Sequence, residues 1–187
     1  MKTDHIQQFI LKNEDNLRIA ASVIEVWPEV RQRIVDGFLE RLGTQLKIKL
    51  EGWEFSRTER FFEDRSGSYD FTKPAWAGEY SLGLQASEYG SQMIIGVCRD
   101  KDKIVNRPFS NELLDAIQIN HPNARFIKPW WDAGVFMKSP ASDWQKPGVL
   151  WQMNKDSAFL DDVAEQLLDL AKTSAPIIDG LVQKYKK

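Results

Sequence analysis

The sequence holds a single cysteine, Cys98, and only two histidines, His5 and His121, among 187 residues. One cysteine excludes an internal disulfide framework and points to a reducing compartment. With two histidines it cannot assemble a zinc site of the usual Cys/His type. No aspartate-rich loop has the EF-hand pattern, and no glycine-rich loop has the G-x-G-x-x-G or Walker pattern. No cofactor and no metal is therefore expected. Charge of one sign is lacking too, because 25 basic against 27 acidic residues leave a net charge of −2. That balance is no electrostatic footprint for nucleic acid or anionic lipid. No window approaches the ~20 apolar residues of a membrane span. Residues Met1 to Gln8 lack the apolar core of a secretory signal. The expectation is a cytoplasmic, water-soluble protein without a membrane partner.

Apolar residues make up 42% of the chain and charged residues 28%, the balance of a packed globular protein. Without repeats, low-complexity segments or a Gly/Ser-rich hinge, one domain spanning residues 1–187 is expected. Its first 47 residues carry helical spacing. Ile6, Phe9 and Ile10 form one short face, and Leu17, Ala20, Val23 and Ile24 form another. The polar run Asn13–Asn16 separates them, with Asp15 or Asn16 able to cap the second helix. Pro28 suits the first turn of a third helix, in which Val30, Ile34, Phe38, Leu42 and Leu46 share a stripe that Gly43 could end early.

Residues 48–153 read as strand-rich. Ile48 to Phe62 is aromatic and β-branched, with Trp53, Phe55 and Phe61 on one parity. Glu79 to Ser87 alternates cleanly and predicts a half-buried strand, nearer an edge or with one face wet. Gln92 to Cys98 is apolar on both parities and predicts a central strand. The residues 88–91 between them form a turn. Ser110 can cap a short helix running to Ile119. Arg125–Trp131, Gly134–Lys138 and Gly148–Met153 complete the strands, and residues 157–187 give one or two helices, with Pro176 starting the second. Helices, then antiparallel-looking strands, then helices describe an α+β fold: a sheet of about five to six strands packed by N-terminal and C-terminal helices.

Chemistry is scarce in this pattern. His5 and His121 fall in turns and read as solvated, while Cys98 reads as a small buried hydrophobe. A metal-dependent nuclease core places an aspartate on one strand and a Glu-x-Lys on the next. Here Asp70 precedes the alternating strand, but the place for the Glu-x-Lys holds Gln85-Ala86-Ser87. Asp70 is instead expected in a turn, Gly67 to Asp70. The succession of a helical lead, a Trp-rich strand, a Tyr-x-Leu-x-Leu strand, the strand Met93-Ile94-Ile95-Gly96-Val97 and a Leu-Leu helix resembles the C-terminal accessory α+β region of bacterial PD-(D/E)xK-like proteins from defence and mobile-element loci. The resemblance spans roughly residues 20–155. It implies an accessory module of bacterial or phage origin and does not imply nuclease activity, because the catalytic carboxylates and lysine are not in this stretch.

Seven tryptophans are the most unusual feature. Their large area suits core packing or an interface anchor more than ligand stacking, given the neutral charge balance. Trp130 and Trp131, near Lys128 and Arg125, are the candidate partner-binding residues. If Lys128 to Asp132 is extended, one of the two tryptophans enters the core and the other stays at least partly exposed. The expected function is a non-enzymatic protein-interaction or regulatory module whose partner is another protein. The alternative is an enzyme or nuclease accessory factor acting on nucleic acid, with carboxylates brought together from distant positions.

Overall fold

The computed structural model describes residues 3–62, 65–104 and 107–185; the extremes of the expected first and last segments, 1–2 and 186–187, lie outside them. Helices α1 (Thr3–Ile10) and α2 (Glu14–Lys49) lead into strands β1 (Glu54–Arg57), β2 (Ser68–Thr72), β3 (Tyr80–Ser87) and β4 (Gln92–Arg99). Helix α3 (Asn111–Gln118), strands β5 (Arg125–Ile127) and β6 (Trp131–Phe136), and helices α4 (Pro147–Lys155) and α5 (Ser157–Tyr185) follow. The strands form one antiparallel sheet in the order β1-β2-β3-β4-β6-β5. The fold is α+β, as the segregated pattern requires. No helix among the described residues is long and apolar enough to cross a membrane.

Alternation decides which face of the sheet is covered. Tyr69, Phe71, Leu82, Leu84, Ile95, Val97, Ala133 and Val135 point to one side and are buried in the main core. Helices α2 and α5 supply the other half, through Val35, Phe38, Leu39, Leu42 and Leu46 and through Val163, Leu167, Leu170 and Ile178. Trp144 fills the corner, edge-on to Phe38 at 5.3 Å and stacked on Phe61 at 5.8 Å. A second anchor ties α5 to the turn before β3. The Trp76 indole N–H and the Lys73 ammonium each donate to Asp179 at 2.7 Å. Burial pushes the Asp179 carboxyl up, but these two donors outweigh it and leave the pKa lowered.

Several expectations need correction. The second and third helices are one helix, α2, capped by the Asn13 side chain at the Asn16 N–H and not by Asp15 or Asn16. Pro28 and Pro176 lie inside α2 and α5 and start nothing. In both cases the carbonyl that proline leaves unpaired belongs to an exposed residue, Ile24 or Lys172, where water can serve it. Gly43 does not end α2; a side chain there would overlap the Tyr69 hydroxyl, so the glycine lets α2 approach β2. Val30, placed on the core stripe, is exposed. Of residues 48–62 only Glu54–Arg57 are strand, and Phe61 reaches the core from a turn. Asp70 is a mid-strand residue of β2 and not part of a turn. Strand β3 lies inside the sheet and not near an edge, so of the two alternatives the partly wet face, through Ser81, Gln85 and Ser87, is the one realised. Gly148–Met153 belongs to helix α4, which starts at Pro147 and buries Val149, Leu150 and Met153 at helical spacing. Lys128 to Pro129 is a turn, not a strand. The central position of β4 and the Ser110 cap, accepting from the Leu113 N–H at 3.2 Å, stand as expected.

Candidate interaction surfaces

The tryptophan pair lies where edge strand β5 turns into β6. Trp131 is 3% exposed and Trp130 45% exposed. Trp130 belongs to the turn and Trp131 opens β6, which carries a bulge. Val97 pairs with Ala133, but the next residue, Cys98, pairs with Trp131, so Asp132 is an extra residue on β6. Asp132 therefore turns inward beside Ala133, toward Arg99, while Trp131 joins Gly134 and Ile127 on the sheet's outer face. Lys101 caps the Trp130 ring at 5.1 Å, and Lys128 lies 5.6 Å above Phe109. Arg125, at the far end of β5, lies over Phe136 at 4.8 Å. Lys128 and Trp130 thus share one turn, whereas Arg125 is about 10 Å further along the strand, at 3.3 Å per residue.

Under this edge lies a buried polar cluster that the sequence did not reveal. Arg99 approaches Asp132 at 3.5 Å, donates to the Arg107 carbonyl at 2.9 Å and stacks over Phe109 at 4.6 Å. Arg107 grips Glu79 through both nitrogens at 2.7 and 3.0 Å. The Ser110 N–H donates to Asp132 at 3.2 Å, but the second Asp132 oxygen is buried without a partner. Burial raises the Asp132 pKa despite Arg99 and the Ser110 N–H. Burial, reinforced by the Asp132 carboxylate, pushes the Tyr80 hydroxyl up to about 12. This cluster fastens the segment around residues 107–110 to the end of the sheet.

On the outer sheet face, Asp70, Gly83, Gly96, Gly134 and Arg125 form one row across five strands. Asp70 accepts from the Ser68 hydroxyl at 2.6 Å, yet burial raises its pKa. Cys98 is half-buried on this face, and burial followed by the nearby Asp70 charge pushes its thiol up to about 12. Such a thiol is no nucleophile at neutral pH. Asp70 and Asp132, the two carboxyls with raised pKa among the described residues, occupy different faces of the sheet.

His121 is not solvated as expected. It sits half-buried 3.5 Å from Asp169, in a cleft of about 500 Å³ beside Pro140 and Phe159. Its Nε2 is buried without a hydrogen-bond partner. His5 lies exposed on α1, not in a turn. Among the described residues no group of three or more His, Cys, Asp or Glu could hold a metal ion.

The largest unsatisfied feature is the N-terminal arm, which consists of α1 and the first half of α2. Leu17, Ile19, Val23, Ile24, Val26, Trp27 and Val30 are all exposed, with Ile24 at 74%; Ile6, Phe9 and Leu11 add to them. A helix that is apolar around most of its circumference is normally buried. Sequence periodicity puts Leu17, Ala20, Val23 and Ile24 on one helical face, yet Leu17, Val23 and Ile24 are exposed. Comparison with protein-family models, curated proteins and solved structures gives no match for this chain.

Proposed function

We propose that this protein is a non-enzymatic protein-interaction module that docks through its N-terminal helical arm, with the aromatic edge at Trp130, Lys128 and Arg125 as a second contact zone. The exposed apolar arm carries the proposal. Monomeric soluble proteins seldom leave a contiguous apolar patch larger than a few hundred Å² in water, and this arm displays ten large apolar side chains. Trp27 and Trp130 are residue types enriched at the energetic centres of interfaces. Charge argues against nucleic acid as the occupant, because Glu25 and Glu29 offset Arg18 along the arm.

The test is affinity capture from cells with the intact chain, in nuclease-treated and untreated lysates, against Ile24→Glu and Trp130→Ala. Both variants should keep the wild-type circular dichroism and melting temperature. Ile24→Glu should lose the captured protein, Trp130→Ala should weaken its capture, and nuclease should change nothing. Capture that disappears with nuclease, or that Ile24→Glu leaves intact, would overturn the proposal.

A further inference from the structure

We propose that the arm pairs antiparallel with the same arm of a second copy of this chain; this rests on reading the arm as the docking element. Ile19, Val23, Val26 and Val30 recur at spacings of four, three and four, which is one seam along a helix. All four are exposed. Asp15 lies four residues before the seam and Arg33 three residues after it, both exposed, and neither is ion-paired or hydrogen-bonded through its side chain within the chain. By contrast, the neighbouring Arg18 is already paired with Glu14 at 2.7 Å.

Turning a second arm antiparallel about the point midway between Ile24 and Glu25 sets Val23 opposite Val26 and Ile19 opposite Val30. The same operation brings Asp15 to within one residue, about 1.5 Å of helix rise, of Arg33 on the second copy, and it does so at both ends. A parallel pair would instead set Asp15 against Asp15 and Arg33 against Arg33. The charges therefore select the antiparallel arrangement, as flanking charges do in helix pairs generally. The four seam side chains are each 40–57% exposed, so pairing covers an apolar strip on the order of 300 Å² per arm, smaller than the about 800 Å² of a standard interface, and the flanking charges carry the choice of partner and direction. The first half of α2 extends about 25 Å at 1.5 Å per residue, so the pairing sets the two sheet-bearing bodies at opposite ends of the paired arms.

Sedimentation equilibrium on the intact chain, from about 1 to 100 μM, tests the pairing. The wild type should sediment as a dimer in this range, and Val23→Glu with Val26→Glu should sediment as a monomer with unchanged helicity. Asp15→Arg and Arg33→Glu should each weaken association at least tenfold, and the two together should restore it to within about threefold of wild type. Recovery in the double variant is expected only if the two positions meet across the interface. A wild-type monomer at 100 μM, dimerisation that survives the seam glutamates, or a double variant no stronger than its singles would overturn the second-copy proposal. If such a monomer still captures a protein that Ile24→Glu loses, the docking role of the arm stands and only its occupant is different.

Discussion

Arg99 and Asp132 face each other at 3.5 Å inside the protein, with side chains 4% and 0% exposed. Asp132 enters this position only because of the bulge in β6, and it leaves one oxygen without a partner. A buried pair of this kind adds little net stability, but losing one member strands the other charge. Arg99→Met should therefore cost about 3–5 kcal/mol in urea unfolding at pH 7, while Arg99→Met with Asp132→Leu should recover most of it. The pH dependence carries the sign. The folded pKa of Asp132 lies above its usual 3.8, so its ionisation opposes folding as pH rises through that range. Removing Arg99 deepens this opposition, and the loss in Arg99→Met should shrink as pH falls toward 4. Equal losses in the single and double variants would show that the two side chains are not coupled.

Cys98 should be an unreactive thiol in the folded chain. Burial, then the Asp70 charge, holds its pKa near 12 against a usual 9.0. At pH 8 the thiolate fraction falls from about one in ten to about one in ten thousand, so alkylation by iodoacetamide should run roughly a thousandfold slower than in urea. Asp70→Asn should speed it. Because the folded pKa is raised, the thiol's contribution to stability is complete below pH 9 and is lost as pH climbs toward 12. Tyr80 behaves likewise between pH 10 and 12. Stability should therefore fall from about pH 9 upward, first through Cys98 and then through Tyr80. A Cys98 that reacts equally fast folded and unfolded would contradict this account.

The elements legible in the sequence are those whose local pattern and tertiary role agree. Strand β4 is apolar on both parities because the main core covers one face and Trp131 and Ile127 accompany Ile94 and Cys98 on the other. Ser110 reads as a cap and is one. Strand β2 escaped because its five residues centre on Asp70, a charge that suggests a turn but stands over Gly83 on the outer face. Helix α4 was misread because Gly148-Val149-Leu150-Trp151 offers more β-branched and aromatic than helical character, and only its packing on α2 and α5 decides the matter. One exposed and one buried tryptophan is the expected outcome, but not by the expected route: Lys128 to Trp130 is a turn instead of an extended segment, and Trp131 is buried on the outer face and not in the main core. Asp132's inward turn was not foreseeable, since it depends on a bulge that no residue type announces. The exposure of the arm was equally hidden, because helical periodicity marks an apolar face without saying which molecule covers it.

Glycines Gly83, Gly96 and Gly134 stand side by side on three neighbouring strands, but a methyl group at each meets a different obstacle. At Gly96 it would overlap the Ala133 carbonyl, which is backbone of the paired strand and cannot move without breaking the β4–β6 ladder. At Gly83 the first obstacle is the Asp70 carboxylate, a side chain held by Ser68 but free to rotate at the loss of that hydrogen bond. At Gly134 it is the tip of Ile127, the far end of a flexible side chain. Overpacking costs about 1–3 kcal/mol where neighbours can adjust and more where they cannot. Gly96→Ala should therefore cost more than about 3 kcal/mol and Gly83→Ala about 1–2 kcal/mol, with Gly134→Ala the mildest at about 1 kcal/mol or less. Chemical denaturation of the three variants gives the order directly. If Gly96→Ala proves as mild as Gly134→Ala, strands β4 and β6 are not packed as closely as their register implies.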